Sequence, residues 1–115
     1  MFSRVELLTA STLDVPHGFP TREGGVSGGP FSSLNTSFSV GDDAAHVREN
    51  LRRLAEAARV SPERLFTVTQ AHGDGVVPAL ESTPETPADA LWTATPGTAG
   101  WGRTADCLPV LLHDG

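Results

Sequence analysis

Glycine and proline set the first limit on what this chain can become. Twelve glycines and nine prolines stand among 115 residues, and four of the glycines with one of the prolines crowd into Thr21–Pro30. Proline fixes φ and donates no backbone hydrogen bond, and glycine weakens both helix and strand. Thr21–Pro30 therefore reads as an ordered loop, and loops and turns take a large share of the whole chain. The content still falls below that of a low-complexity, disordered sequence. The apolar fraction is lean at 38%. A chain of this size nevertheless buries roughly two-thirds of its unfolded surface, enough for a core without staples. A single domain over residues 1–115 is expected.

Between the loops the pattern gives one clear helix and five or six short strands. Gly41-Asp42-Asp43 offers an aspartate N-cap, and Ala44, Val47, Leu51, Leu54, Ala55 and Ala58 then recur at three- and four-residue spacing. Ser61-Pro62 ends that helix and opens a short turn, with Ser as cap and Pro at the first position. Strands are expected at Val5–Leu8, Phe38–Val40, Leu65–Ala71, Val76–Leu80, Ala88–Thr93 and Leu108–Leu112. Gly73-Asp74-Gly75 predicts that the third and fourth of these form a hairpin. Leu108–Leu112 is nearly all apolar, which predicts burial on both faces near the middle of a sheet. An uncovered edge beside such a strand invites pairing with another chain. The sum is an α+β fold, a mixed β-sheet with one main helix.

The net charge is −6, and all eight basic residues are Arg, scattered apart from Arg48, Arg52 and Arg53 on the expected helix. Nucleic acid is set aside as a partner because nonspecific binding needs a basic face. A single Cys forms no intrachain disulfide. No apolar run nears the ~20 residues of a membrane-spanning helix, so a membrane is set aside too. The N-terminus lacks the basic-then-apolar order of a secretory signal. A soluble cytoplasmic protein is expected.

Two short motifs carry the chemistry, Gln70-Ala71-His72-Gly73 and Thr104-Ala105-Asp106-Cys107-Leu108-Pro109. His72, between a strand and a turn, is either a metal ligand with its second ring nitrogen fixed by an acceptor or a solvated turn histidine. Cys107 is either a small core residue or, beside a metal or a cation, a thiolate ligand or nucleophile. Asp106 points to the other side of the strand and satisfies loop donors. One imidazole and one thiolate make most of a catalytic zinc site, which takes three protein ligands and keeps a fourth position open. No third ligand has an obvious place. Without metal, Cys107 and His72 would instead form a nucleophile–base pair of the hydrolase type.

The Gly-rich loop is a second candidate. Arg22, Gly24, Gly25, Ser27 and Asn35 outline a nest of amides with one guanidinium, suited to phosphate or a sugar, against the plainer reading of a structural loop. It lacks the Gly-Lys-Ser/Thr ending of a P-loop. His17 borders this loop and faces a pocket, His46 lies off the apolar stripe in solvent, and His113 flanks the site or is a tail residue. Arg48 and Arg103 read as surface charges.

Taken in order, seven segments resemble one family. They are His17-Gly18-Phe19-Pro20-Thr21-Arg22-Glu23-Gly24-Gly25-Val26-Ser27, Ser33-Leu34-Asn35, Val40-Gly41-Asp42-Asp43, Val47-Arg48-Glu49-Asn50, Gln70-Ala71-His72-Gly73, Ala88-Asp89-Ala90 and Thr104-Ala105-Asp106-Cys107-Leu108-Pro109-Val110. This set is similar to the YfiH-type laccase-domain family, known in older usage as polyphenol oxidase. The resemblance runs from about His17 to Asp114 and is highly specific. Family members are longer, so it implies that this chain corresponds to their N-terminal half, an incomplete domain.

The resemblance implies a purine nucleoside phosphorylase, converting adenosine or inosine and phosphate to base and ribose-1-phosphate, with adenosine deamination as a related activity. It implies zinc as cofactor, held by His72, by Cys107 and by a second histidine from a downstream His-Ala-Gly-Trp-Arg motif that this sequence lacks. His72 and Cys107 are then the expected catalytic and metal residues, and Arg22, Ser27, Asn35 and Gln70 the expected substrate-binding ones. The missing histidine implies self-association or a complementary C-terminal segment; otherwise the chain is an inactive fragment or subunit. Zinc that activates water suits attack on the adenine ring, and phosphate at the Arg22 loop suits attack at the sugar. Gly100-Trp101-Gly102 departs from the aliphatic residues usual there, which argues against a strand. Copper oxidation is rejected: four scattered histidines without a His-x-His pair cannot build a multicopper centre.

Overall fold

The helix forms where the apolar stripe predicts it. In the computed structural model, which describes residues 4–104 and 107–114, α1 spans Ala44–Ala57. The Asp43 carboxylate accepts the Ala45 N–H at 2.8 Å and caps one of the orphan donors of the first turn. Val47, Leu54 and Ala55 are buried, Leu51 is half-buried, and Ala44 is exposed. Within the same stripe Asn50 is fully buried. On the outer side Arg52 bonds Glu49 and Glu56, and Arg53 bonds Glu49, each three or four residues away. Past the helix end Arg59 takes a left-handed backbone, φ 60°, at the position that glycine usually fills. Ser61 then precedes a 3₁₀ turn, Pro62–Arg64, with Pro62 at the first position as expected, but the Ser61 side chain makes no capping bond.

The strands are short and pair in twos. β1 (Leu7–Leu8) pairs antiparallel with β2 (Phe19–Pro20). β3 (Leu65–Phe66) pairs parallel with β6 (Ala99–Gly100), and β4 (Val76–Pro78) pairs parallel with β5 (Ala90–Trp92). One helix with these small antiparallel and parallel sheets is an α+β architecture. The chain gathers into two compact units. One runs through Arg59 and resumes from Val110; the other spans Val60–Pro109. Leu34, Val47, Leu54 and Ala55 form the buried apolar centre of the first, and Ala79 and Ala88 that of the second. Among the described residues no helix is long and apolar enough to cross a membrane.

Four expectations are corrected. Phe38–Val40 is a turn, because Asn35 Oδ1 accepts the Ser37 N–H and Ser37 Oγ accepts the Ser39 N–H, and such local bonds compete with a ladder. Leu65–Ala71 is a strand only at Leu65–Phe66, followed by a single bridge from Thr69 to Pro87. The Gly73-Asp74-Gly75 hairpin does not form, because β4 takes β5 as its parallel partner and the turn amides are engaged elsewhere. Leu108–Leu112 is neither strand nor buried: Leu108 is 85% and Leu112 92% exposed. A run apolar on both faces is covered only where strands flank it, and none does so among the described residues. Conversely, β6 forms where the departure at Gly100 argued against a strand, and Trp101 N–H extends it with a 2.9 Å bond to Phe66 O.

Candidate functional site

The Gly-rich loop folds back on itself. Arg22 O accepts the N–H groups of Ser33 and Leu34, both at 2.9 Å, and Ser27 N–H donates to Ser33 O at 3.0 Å. Gly25 makes this closure possible, since a Cβ there would lie 2.0 Å from Ser33 O. Of the amides expected to cradle an anion, those of Gly25 and Ser27 are used internally, Gly25 N–H donating to Ser33 Oγ and Ser27 N–H to Ser33 O; the neighbouring Val26 N–H donates to Asn50 Oδ1. The Arg22 side chain is exposed, with Nε donating to Ser32 O at 3.1 Å. It borders an open pocket of about 570 Å³ with Phe31, Leu34, Asn35 and Val40.

Asn35 lines that pocket, and shared partners, Asp42 and Asn50, join it to Ser27. Ser27 Oγ donates to Asp42 Oδ2 and accepts from Asn50 Nδ2 at 2.9 Å. Asn35 Nδ2 donates to the same Asp42 oxygen at 3.1 Å, and the Asn35 backbone carbonyl accepts from Asn50 Nδ2 at 2.7 Å. The Ser27 hydroxyl, then Asn35 and the Asp43 amide, hold the Asp42 carboxyl below its ordinary range against the opposing pull of burial. Asp42 and Asn50 carry this network, and the sequence reading assigned neither to it. The signal was an Asn in the middle of an apolar stripe.

His72 sits in an exposed loop that one carboxylate holds. Ala71 N–H and His72 N–H donate to Asp89 Oδ1 at 3.2 and 2.7 Å, and Gly73 N–H donates to Oδ2 at 2.8 Å. His72 takes φ 60°, a region that non-glycine residues rarely occupy. The Gly73 amide first, then those of His72 and Ala71, keep the Asp89 carboxyl below its ordinary range although partial burial opposes this. Gln70 is exposed next to this loop. Asp89 is the residue that sequence reasoning passed over; only its place in Ala88-Asp89-Ala90 marked it.

Cys107 is exposed and free of disulfide. Asp106 lies outside the described residues. The remaining histidines, His17, His46 and His113, belong to the first unit, whereas His72 and Cys107 belong to the second. His17 Nε2 accepts the Ala10 N–H at 2.8 Å and Nδ1 donates to Val15 O at 2.7 Å, so both nitrogens serve the backbone. His46 is exposed, 3.9 Å from Asp42 Oδ1, and His113 is exposed. Arg103 stacks 5.3 Å from the Trp101 ring. Imidazole and thiol are donors of the type zinc takes, and both His72 and Cys107 are accessible for it. In number they fall short: among the described residues no three His, Cys, Asp or Glu side chains gather where a metal ion would bind.

Comparison with known proteins fits these positions into a family. Residues 16–115 match the family described as multi-copper polyphenol oxidoreductase laccase. The chain is 45% identical over 108 residues to a Deinococcus radiodurans protein named purine nucleoside phosphorylase, covering 94% of this chain and 42% of that one. It is 49% identical over 94 residues to a Pseudomonas aeruginosa protein of the same name, covering 82% and 37%. The crystal structure of Neisseria meningitidis protein NMB0706 superposes with a TM-score of 0.67 at 37% identity, covering 76% of this chain and 36% of that one. The chain thus spans about two-fifths of the length of the curated relatives it matches. With the family's match running from Pro16 through both motifs, and the fold shared with a solved member, this chain belongs to the YfiH-type laccase-domain family.

Proposed function

We propose that this chain supplies part of a zinc-dependent purine nucleoside phosphorylase, acting on adenosine or inosine with phosphate and, at the same centre, deaminating adenosine. The observation that carries this reading is the 45% identity, over 94% of the chain, to a relative named purine nucleoside phosphorylase. His72 and Cys107 would hold the zinc, each exposed and each of the right donor type. The third ligand is a histidine supplied either by a complementary C-terminal segment or by another copy of the chain. Bound zinc supplies Lewis-acid polarisation. Arg22 offers its exposed guanidinium to phosphate, with the pocket wall of Phe31 and Leu34 beside it. Ser27 and Asn35 serve the substrate by shaping that wall, and Gln70 serves it from beside His72.

The test uses the full protein that carries this chain, assayed for inosine phosphorolysis and for zinc content. His72→Ala is expected to lower turnover by more than the roughly 100-fold that loss of an outer-shell partner costs, and to release the zinc. Full activity in that variant overturns the reading. Iodoacetamide labelling of Cys107 separates ligand from nucleophile: zinc protects a ligand, whereas rapid labelling that zinc does not slow marks a metal-free thiolate.

A further inference from the structure

One carboxylate organises the whole loop that carries His72, and the proposed chemistry does not use it. Successive N–H groups at 71, 72 and 73 converge on the two oxygens of Asp89, forming a concave anion site that the chain fills with its own side chain. The main chain of residue 89 holds the far end of the loop as well. Gly75 O accepts Asp89 N–H at 2.9 Å and Ala90 N–H at 3.1 Å, and the ladder continues at once with Val76 opposite Ala90. The loop is therefore clamped from both ends by one position at the start of a strand. Between the clamps His72 is held at φ 60°, a conformation that costs a non-glycine residue energy and persists only where the surroundings enforce it.

We infer that Asp89 is the positioning residue for His72: its carboxylate fixes the backbone at 71–73 in the geometry that sets where the imidazole projects. This rests on the reading of His72 as a functional imidazole. It assigns Asp89 no contact with substrate or metal. A backbone clamp of this kind is chemically distinct from an acceptor on the second ring nitrogen, because it acts through φ and ψ rather than through the tautomer. It also explains why an acidic residue occupies 89: three amide donors need an acceptor-only group with two oxygens, which ionised Asp provides.

The experiment compares wild type, Asp89→Ala, His72→Ala and, as a control, Thr69→Val, which removes the 2.6 Å bond from Thr69 Oγ1 to Pro84 O in the same unit. Two readouts are taken on the full protein: amide hydrogen exchange without metal, and affinity for Zn²⁺ by chelator competition. In Asp89→Ala the protection of the 71–73 amides is expected to fall about tenfold or more, with the amides of α1 unchanged. Zn²⁺ affinity is expected to fall about 10- to 100-fold. Thr69→Val is expected to leave both unchanged. Where Asp89→Ala fails to fold, Asp89→Asn serves, since it keeps Oδ1 for residues 71 and 72 and places an amide group opposite Gly73 N–H.

Unchanged protection at 71–73 overturns the inference. So does unchanged Zn²⁺ affinity in the Asp89 variant when His72→Ala loses it, an outcome that leaves the zinc reading standing. If His72→Ala itself binds Zn²⁺ like wild type, the zinc reading falls instead. The inference is then decided by the exchange result alone, loss of protection supporting it and retention overturning it.

Discussion

At the scale of single residues, the buried amide of Asn50 does the most structural work in the first unit. Its side-chain carbonyl accepts the Val26 N–H, and its NH₂ group reaches Ser27 Oγ and Asn35 O, so one side chain joins α1 to the middle of the Gly-rich loop and to the segment that follows it. Asn50→Ala leaves the Val26 amide without its acceptor. It is expected to cost about 2–3 kcal/mol, read from the urea midpoint by circular dichroism. Asn50→Asp keeps the acceptor but turns a carboxylate oxygen toward Asn35 O and is expected to fare no better. Nothing local in the sequence could rank Asn50 this way. An Asn in a helical stripe is tolerated or costly according to partners 15, 23 and 24 positions away. His72 and Cys107, by contrast, are legible as candidates from residue type and setting, and both are exposed.

At the scale of elements, α1 was the most legible part of the fold, because its cap and its periodicity are local. Two expectations follow from how it ends and how its outer side is charged. Arg59 holds φ 60° without the freedom of glycine. Arg59→Gly is expected to raise stability by about 1 kcal/mol, seen as a higher Tm, because relief of the left-handed strain outweighs the added entropy of the unfolded chain. Glu49 is held at about 2, from an ordinary 4.5, by Arg52 first and then Arg53. A carboxyl whose pKa is depressed by folding contributes fully above its unfolded value and loses that contribution as pH falls toward the folded one. Glu49→Gln is accordingly expected to flatten the decline of Tm between about pH 4.5 and about 2, with little effect at neutral pH beyond that of an exposed pair. The strands were legible as extended segments and not as pairs. β4 was expected beside the strand before it and instead lies parallel to β5.

At the scale of the whole molecule, the apolar run at 108–112 dominates. Leu108, Val110 and Leu112 are each more than two-thirds exposed, in a chain with few large buried apolar residues. Exposed apolar side chains clustered in one run of sequence promote association. The purified chain is expected to self-associate on a sizing column, and Leu108→Asp with Leu112→Asp to shift it toward monomer. An unchanged elution volume in the double variant would show that this run does not carry the contact. The sequence marked the segment as one that needs cover, since its apolar residues do not alternate. Whether cover exists depends on neighbours that no pattern within 108–112 encodes.

The sequence by itself determined what local rules govern: an ordered Gly-rich loop, one capped amphipathic helix, the turn after Ser61, and the motif order that marks the family. The tertiary structure alone decided which strands pair, that the loop amides close on Ser33 and Asn50 rather than stand open, and that Asp89 holds the loop of His72. The physical reason is the reach of the interactions. A helix satisfies its hydrogen bonds within four residues and is written in its own stretch of chain. An extended segment or a loop takes its partners from distant positions, and those are fixed only when the chain is folded.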